Sequence, residues 1–106
     1  MNTTPKAMTG AEHAALMNLL QTASRDSGQS RRCADFLLVW WNAVECGGFD
    51  LTTLWGLDDA ICRDMQTVFG YIARAQNYPD TLGLSAEFEA VVRMWRPELL
   101  EGDEPA

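Results

Sequence analysis

The sequence is poor in the residues on which many enzymes and metal sites depend. It contains one histidine, His13, and three cysteines, Cys33, Cys46 and Cys62, with no CxxC spacing. An odd number of widely spaced cysteines does not indicate a disulfide framework, and these four residues form no ligand pair at the short spacing typical of zinc sites. We interpret Cys33 and Cys46 as small core residues, and His13 as an exposed surface residue.

Recognisable catalytic motifs are missing as well. The chain has no GxSxG, HExxH, Walker or GxGxxG pattern, and these are the arrangements that place a nucleophile, a zinc ion or a phosphate. Asp58, Asp59 and Asp64 could hold a divalent cation, although Asp58 and Asp59 are better explained as helix-start residues. We therefore predict a non-enzymatic protein with no metal and no cofactor, and keep a small carboxylate- or metal-dependent enzyme as an alternative.

Long apolar runs are absent. No stretch of 18 apolar residues occurs, so the sequence predicts no transmembrane helix. The first ten residues, MNTTPKAMTG, lack the apolar segment of a signal peptide. We expect a cytoplasmic protein.

Positive charge is scarce: eight lysine and arginine residues stand against fifteen aspartate and glutamate residues, which gives a formal net charge of −7. Residues 33–106 carry thirteen acidic side chains and four arginines, a net −9, whereas residues 1–32 carry a net +2. Proteins bind nucleic acid largely by neutralising phosphates, so this acidic body argues against direct nucleic-acid binding and against anionic membranes. The same charge favours docking on a basic surface of a partner protein.

Apolar side chains are abundant, at 47% of the chain, with four tryptophans and four phenylalanines. Residues 36–41, FLLVWW, are apolar on nearly every face of a helix, and such a helix must be wrapped by the rest of the protein. We assign this segment to the core and expect any binding site after Gly47 and Gly48, which end the helix. Phe69, on a later helix, is expected to widen an apolar stripe that faces the core.

Helical spacing of the apolar residues predicts an all-α fold, a compact bundle of four main helices with the second helix at its centre. The predicted helices cover about residues 10–24, 31–46, 58–76 and 86–96, with a short helical turn near 51–55. We expect one helical domain at 9–99, a flexible arm at 1–8 and an acidic tail at 100–106.

Several helix starts carry recognisable capping residues. Thr9 and Glu12 match the capping box of a first helix, and Asp50 is placed to cap the short turn that follows it. Ser30 and Ser85 are the predicted N-caps of the second and fourth helices.

Acidic and aromatic residues occur together around the predicted connections. Trp55 and Tyr78 each lie in such a connection beside acidic residues, and tryptophan and tyrosine dominate the energetics of protein interfaces. The alternative is that both rings cover the core and are themselves mostly buried, as large aromatic side chains usually are. The candidate protein-binding residues are Asp50, Trp55, Asp58, Asp59, Asp64, Tyr78 and Asp80.

Three strings in the sequence are familiar: WWNAVECGGFDLTTLW at 40–55 and YPDTLG at 78–83, which are specific, and FEAVVRMWRPEL at 88–99. With them the chain resembles an uncharacterised family of small proteins from integrative and conjugative elements and plasmids of proteobacteria. The resemblance covers about residues 33–99. It implies a mobile genetic element as the genomic context and supplies no catalytic residues.

Small acidic proteins of that context often antagonise host defence, as anti-CRISPR and anti-restriction proteins do. We therefore expect a protein-binding inhibitor that occupies a basic nucleic-acid-binding surface of a CRISPR or restriction complex. An accessory or regulatory subunit of the mobile element, acting as a homo-oligomer, is the alternative.

Overall fold

A computed structural model describes residues 7–101, in which helices are joined by short connections and no strand occurs. The longer helices are α1 (Gly10–Ala23), α2 (Gly28–Cys46), α3 (Asp59–Ala75) and α4 (Ser85–Trp95). Two 3₁₀ turns, Leu51–Gly56 and Pro79–Leu82, and a last short helix, α5 (Glu98–Glu101), complete the described chain. The predicted all-α bundle of four main helices is confirmed. The arm predicted at 1–8 and the tail predicted at 100–106 lie mostly outside the described residues.

The start of α1 has the predicted capping box. The Thr9 hydroxyl accepts a hydrogen bond from the Glu12 amide at 3.1 Å, and the Glu12 carboxylate accepts one from the Thr9 amide at 2.9 Å. Glu12 also binds the guanidinium of Arg74 on α3, with one of the two bonds at 3.0 Å. One carboxylate therefore starts α1 and ties it to α3.

The core lies where α1 packs along α2, α3 and α4. Helix α1 buries one face of apolar residues, and α2 contributes the largest set of buried side chains. The molecule measures 51 × 32 × 21 Å. Since a helix with its side chains is about 10–12 Å across, the thin dimension holds roughly two helix layers. Every helix in such a molecule has an outer face.

The first turn of α2 differs from the prediction. The helix begins at Gly28 and is capped by Ser27, whose hydroxyl accepts a hydrogen bond from the Ser30 amide at 3.1 Å. The predicted cap, Ser30, is instead fully buried inside the first turn, and its hydroxyl lies 2.8 Å from that of Ser27. Ser27, three residues earlier, provides the same capping hydroxyl. Ser30 is instead a core residue whose own hydroxyl has a hydrogen-bond partner.

A break near the end of α2 was also not predicted. Asn42 has extended backbone angles, φ −165° and ψ 86°, inside the helix. Its side-chain oxygen accepts a hydrogen bond from the Glu45 amide at 3.2 Å. Extended dihedrals and acceptance from the third following residue are the marks of an N-cap. Asn42 therefore ends the long part of α2 and starts a separate last turn.

Arg96 holds that last turn in place. Its guanidinium donates to the Cys46 carbonyl at 3.0 Å and to the Asp35 carboxylate at 2.6 Å. Eleven residues of straight helix would separate Asp35 from Cys46 by about 16 Å, too far for one guanidinium to reach both. The bend at Asn42 brings the two groups together and turns Cys46 into the core, where it is buried.

The ends of α3 and α4 are close to their predicted positions. Asp58 precedes α3 as expected, but its side chain makes no capping hydrogen bond to that helix. Helix α4 begins at Ser85 itself, after Leu84, so the predicted Ser85 cap is wrong. At its other end the indole nitrogen of Trp95 donates to the Ala23 carbonyl at 2.8 Å, which joins α4 to the end of α1.

The sequence strings at 40–55 and 88–99 meet in the structure through Trp40, Trp41 and Phe88. The indole nitrogen of Trp40 donates to the Asn77 carbonyl at 2.9 Å, and the Asn77 amide donates to the Tyr71 hydroxyl at 3.1 Å. The Trp40 ring also packs edge-on against Tyr71 and Phe88, while Trp41 stacks on Phe88 with the planes 19° apart. Both adjacent tryptophans thus serve packing.

Candidate functional site

Three of the predicted acidic residues have partners inside the fold. The Asp50 carboxylate accepts from the Thr52 amide at 2.9 Å and from its hydroxyl at 2.8 Å, and these bonds lower the pKa of Asp50. It therefore caps the first 3₁₀ turn as predicted. Asp58 exchanges two hydrogen bonds with Gln29 of α2, at 2.9 and 3.2 Å. These contacts fasten the segment between α2 and α3.

Asp64 contacts a different helix from Asp58. Its carboxylate accepts a hydrogen bond from the Asn18 amide of α1 at 3.4 Å. Asp64 is therefore turned toward α1, while Asp58 is turned toward the start of α2. The sequence grouped these acids by their proximity along the chain, and the structure distributes them over several contacts.

Asp59 and Asp80 are the acidic candidates that remain open. Both are exposed, and neither side chain makes a hydrogen bond or an ion pair with another residue of the described range 7–101. Their charges are therefore available to a partner.

Trp55 and Tyr78 are exposed, at 85% and 65% respectively. The alternative, that these two rings cover the core and are mostly buried, is therefore wrong. Trp55 lies in the 3₁₀ turn whose Gly56 carbonyl accepts from Arg32, at the beginning of α2. Tyr78 lines a hollow with Val44 and Asp80 near the end of α2. The two aromatic candidates thus flank opposite ends of one helix.

An apolar groove between α2 and α3 was not predicted. It consists of two adjoining hollows of ≈ 360 and ≈ 290 Å³. We call it the α2–α3 groove, and its principal lining residues are Phe36, Val39, Phe49, Leu51, Phe69 and Ile72. Leu51 is 69% exposed and Phe69 is 61% exposed.

The groove arises because α1 packs along both α2 and α3, whereas α2 and α3 approach each other at few points. Phe69 lies at the edge of that gap, so its predicted place in the core stripe is wrong. The expected burial of residues 36–41 is confirmed for Phe36, Leu37, Leu38 and Trp40. Val39 and Trp41 are only half-buried. The sequence feature that could have indicated the groove is the all-round apolar pattern of α2, since a two-layer molecule leaves one face of each helix uncovered.

The cysteines fit a structural role. Cys33 and Cys46 are buried free thiols, as predicted, and Cys62 is half-buried. Burial raises the pKa of Cys33 to about 11, with smaller contributions from Asp64 and Cys62. Burial also raises the pKa of Cys46. A thiol that resists ionisation is a poor nucleophile and a poor metal ligand.

Other site chemistry is limited within the described chain. Residues 7–101 contain no group of three or more His, Cys, Asp or Glu side chains arranged to hold a metal ion. His13 is exposed on α1, as predicted. Within the same residues, none of the helices combines the length and the apolarity needed to cross a lipid bilayer.

The fold and these surfaces define a small all-α protein with an exposed aromatic beside acidic residues and an open apolar groove. By sequence the chain belongs to a family of unknown function (DUF7673), whose model matches residues 13–96. That range runs from the first turn of α1 to the end of α4 and contains the whole groove. No curated protein and no solved structure matches the chain.

Proposed function

We propose that this protein is a non-enzymatic protein-binding module that docks on a basic surface of a partner protein. The observation that carries the proposal is Trp55, which is 85% exposed and stands in a turn bounded by Asp50 on one side and by Asp58 and Asp59 on the other. An exposed tryptophan supplies a large apolar anchor, and the surrounding carboxylates select for positive charge on the partner.

The fixed geometry of this segment supports a role in binding. Asp50 caps the 3₁₀ turn, Asp58 is bonded to Gln29, and the Arg32 guanidinium donates to the Gly56 carbonyl at 3.3 Å. A surface held in one conformation before binding loses less conformational entropy when it binds. The Trp55 side chain is therefore presented from a turn whose end is tied to α2 through Gly56 and Asp58.

The partner we propose is a nucleic-acid-binding complex of host defence, of the CRISPR or restriction type. Residues 33–106 carry a net −9, and such a body can occupy a basic groove in place of phosphates. The resemblance to proteins of mobile genetic elements supplies the biological context for this proposal, and the cytoplasm is the expected compartment.

A matched pair of variants tests the proposal. Asp59 and Glu87 are both exposed and both lie in the first turn of a helix. Asp59→Asn and Glu87→Gln therefore remove equal charge and a similar helix-dipole interaction. We expect Asp59→Asn and Trp55→Ala each to weaken capture of a purified defence complex by about tenfold, and Glu87→Gln to leave it nearly unchanged.

The measurement is co-elution in gel filtration at low and high salt. Binding that steering charges promote is strongest at low salt. Wild-type protein that fails to co-elute with any CRISPR or restriction complex at low salt would contradict this choice of partner. Equal effects of Asp59→Asn and Glu87→Gln would contradict the assigned surface.

One observation favours the accessory homo-oligomer as a second candidate. The exposed Leu51 and Phe69 of the α2–α3 groove are apolar surface of the kind that interfaces cover. Light scattering at micromolar concentration distinguishes the two candidates, because a clean monomer counts against the oligomer.

A further inference from the structure

The α2–α3 groove is an apolar surface separate from the turn that carries Trp55. Its floor includes the edge-on pair of Phe36 and Phe49, with ring centroids 5.6 Å apart. Its rim includes Leu51 and Phe69, which are largely exposed. Contiguous apolar surface of this kind in a small protein usually marks an interaction site.

The walls of the groove are two helix surfaces. Helix α2 presents Phe36 and Val39, which are three residues apart, and α3 presents Phe69 and Ile72 at the same spacing. Side chains at this spacing form the ridges between which a further helix packs. A groove of this construction suits the apolar face of an amphipathic helix.

The charge around the groove is negative. Asp50 lies between the lining residues Phe49 and Leu51, and Asp80 lines a hollow that shares Val39 with the groove. The side chains that line its two hollows include no lysine, arginine or histidine. A helix with basic residues beside its apolar face therefore matches this surface, while a second copy of a chain with a net charge of −7 brings like charge.

We infer that the α2–α3 groove binds an amphipathic helix of a partner protein, with lysine or arginine residues on either side of its apolar face. The inference rests on the proposed function in taking the chain as a protein-binding module. It adds a second contact surface, where apolar burial contributes affinity and the acidic rim selects the sign of the partner's charge.

Two synthetic amphipathic peptides with the same leucine face are the probes, one with lysine and one with glutamate on its polar face. Isothermal titration calorimetry measures their binding to the full chain at low salt. We expect the lysine peptide to bind and the glutamate peptide to bind at least tenfold more weakly. Phe69→Asp and, independently, Leu51→Asp weaken the lysine peptide by at least tenfold.

Met94→Asp is the matched control, since Met94 is a 42% exposed apolar residue on α4, away from the groove. It leaves peptide affinity unchanged. Circular dichroism verifies that all three variants remain folded, which their exposed positions favour.

Three results would overturn the inference. They are no binding of the lysine peptide, equal binding of both peptides, and self-association of the wild type that Phe69→Asp abolishes, which would make a second copy the occupant. Lysine-peptide binding by a wild-type chain that captures no defence complex would reject the proposed partner and leave the groove intact. The reverse pattern would reject the groove alone.

Discussion

At the scale of single residues, Glu12 shows how one side chain serves two levels of structure. It completes the capping box of α1 and pairs with Arg74, 62 positions further along the chain. The Arg74 hydrogen bond is the main reason that the pKa of Glu12 falls to about 2, and the bond from the Thr9 backbone adds to it. Arg74 also lies over the Tyr71 ring at 5.2 Å and donates to the Ala7 carbonyl.

Glu12→Gln tests this carboxylate, because the amide retains an oxygen for the cap and loses the charge. We expect the free energy of unfolding at neutral pH to fall by about 1 kcal/mol, the scale of a partly exposed ion pair. A carboxyl whose pKa is lowered on folding stabilises the native state above its unfolded pKa. That stability is lost as the pH falls from about 4.5 toward 2.

Urea denaturation over this pH range is the measurement, and Glu89→Gln is the control. Glu89 is exposed on α4 and makes no ion pair or hydrogen bond with the described residues. The difference between wild type and Glu12→Gln shrinks as the pH falls. A difference that stayed constant down to the pKa of Glu12 would show that the charge contributes nothing.

At the scale of elements, the bend of α2 and the end of α4 depend on each other. The Asn42 cap starts the last turn of α2, and Arg96 connects that turn to the long part of the helix through Cys46 and Asp35. The two charged groups are only partly exposed, at 20% for Arg96 and 28% for Asp35. Gly47, with φ at +98°, then turns the chain away in a conformation that favours glycine.

Arg96→Met tests this connection, with Arg93→Met as its control. Arg93 lies three residues earlier on α4, is exposed and makes no hydrogen bond or ion pair with the described residues. We expect Arg96→Met to lower the free energy of unfolding by about 2 kcal/mol, because it leaves a partly buried carboxylate and a carbonyl without their donor. Arg93→Met changes it by less than about 0.5 kcal/mol.

Chemical denaturation of the two variants provides the comparison. Equal stabilities would mean that the half-buried pair of Arg96 and Asp35 contributes no more than an exposed charge. A loss confined to Arg96→Met would support the bend at Asn42 as a structural feature, since only that bend brings both partners within reach of one guanidinium.

At the scale of the whole molecule, two helix layers divide the apolar residues into a core and a groove. Phe88 of α4 is fully buried between the rings of Trp40 and Trp41, whereas Phe69 of α3 is 61% exposed. Both residues follow helical periodicity equally well in the sequence. The two side chains differ in burial because α1 packs between α2 and α3, which leaves the flank of α3 uncovered.

Phe88→Ala and Phe69→Ala make this division measurable. We expect Phe88→Ala to lower the free energy of unfolding by about 3–5 kcal/mol, since it removes buried apolar surface and leaves a cavity. Phe69→Ala changes it by less than about 0.5 kcal/mol, as for other exposed positions. Thermal and urea unfolding measure both. Comparable losses would place Phe69 in the core and close the α2–α3 groove.

Much of the fold could be predicted from the sequence because its signals are local. The Thr9–Glu12 box, the Asp50 cap and the stop at Gly47 each involve residues within about one helical turn of one another.

The errors arose where several local solutions compete. Ser27 and Ser30 are both suitable N-cap residues. Asn42 ends a helix only where the following turn can pack against the rest of the protein. Of the candidate site, Asp59 and Asp80 are exposed, their role in binding stays a prediction, and no local pattern indicated the groove.

By itself the sequence determined the helical class, most helix ends and the acidic character of residues 33–106, since periodicity, capping and charge are properties of neighbouring residues. Only the tertiary structure decided which apolar side chains stay outside, which distant groups pair, and that Trp55 is exposed while Trp40 is not. These outcomes depend on contacts between residues far apart in the chain, such as Arg96 with Asp35 and Trp40 with Asn77. The apolar residues of α2 illustrate both contributions. The sequence specifies them, and the two-layer packing leaves some of them lining an open groove.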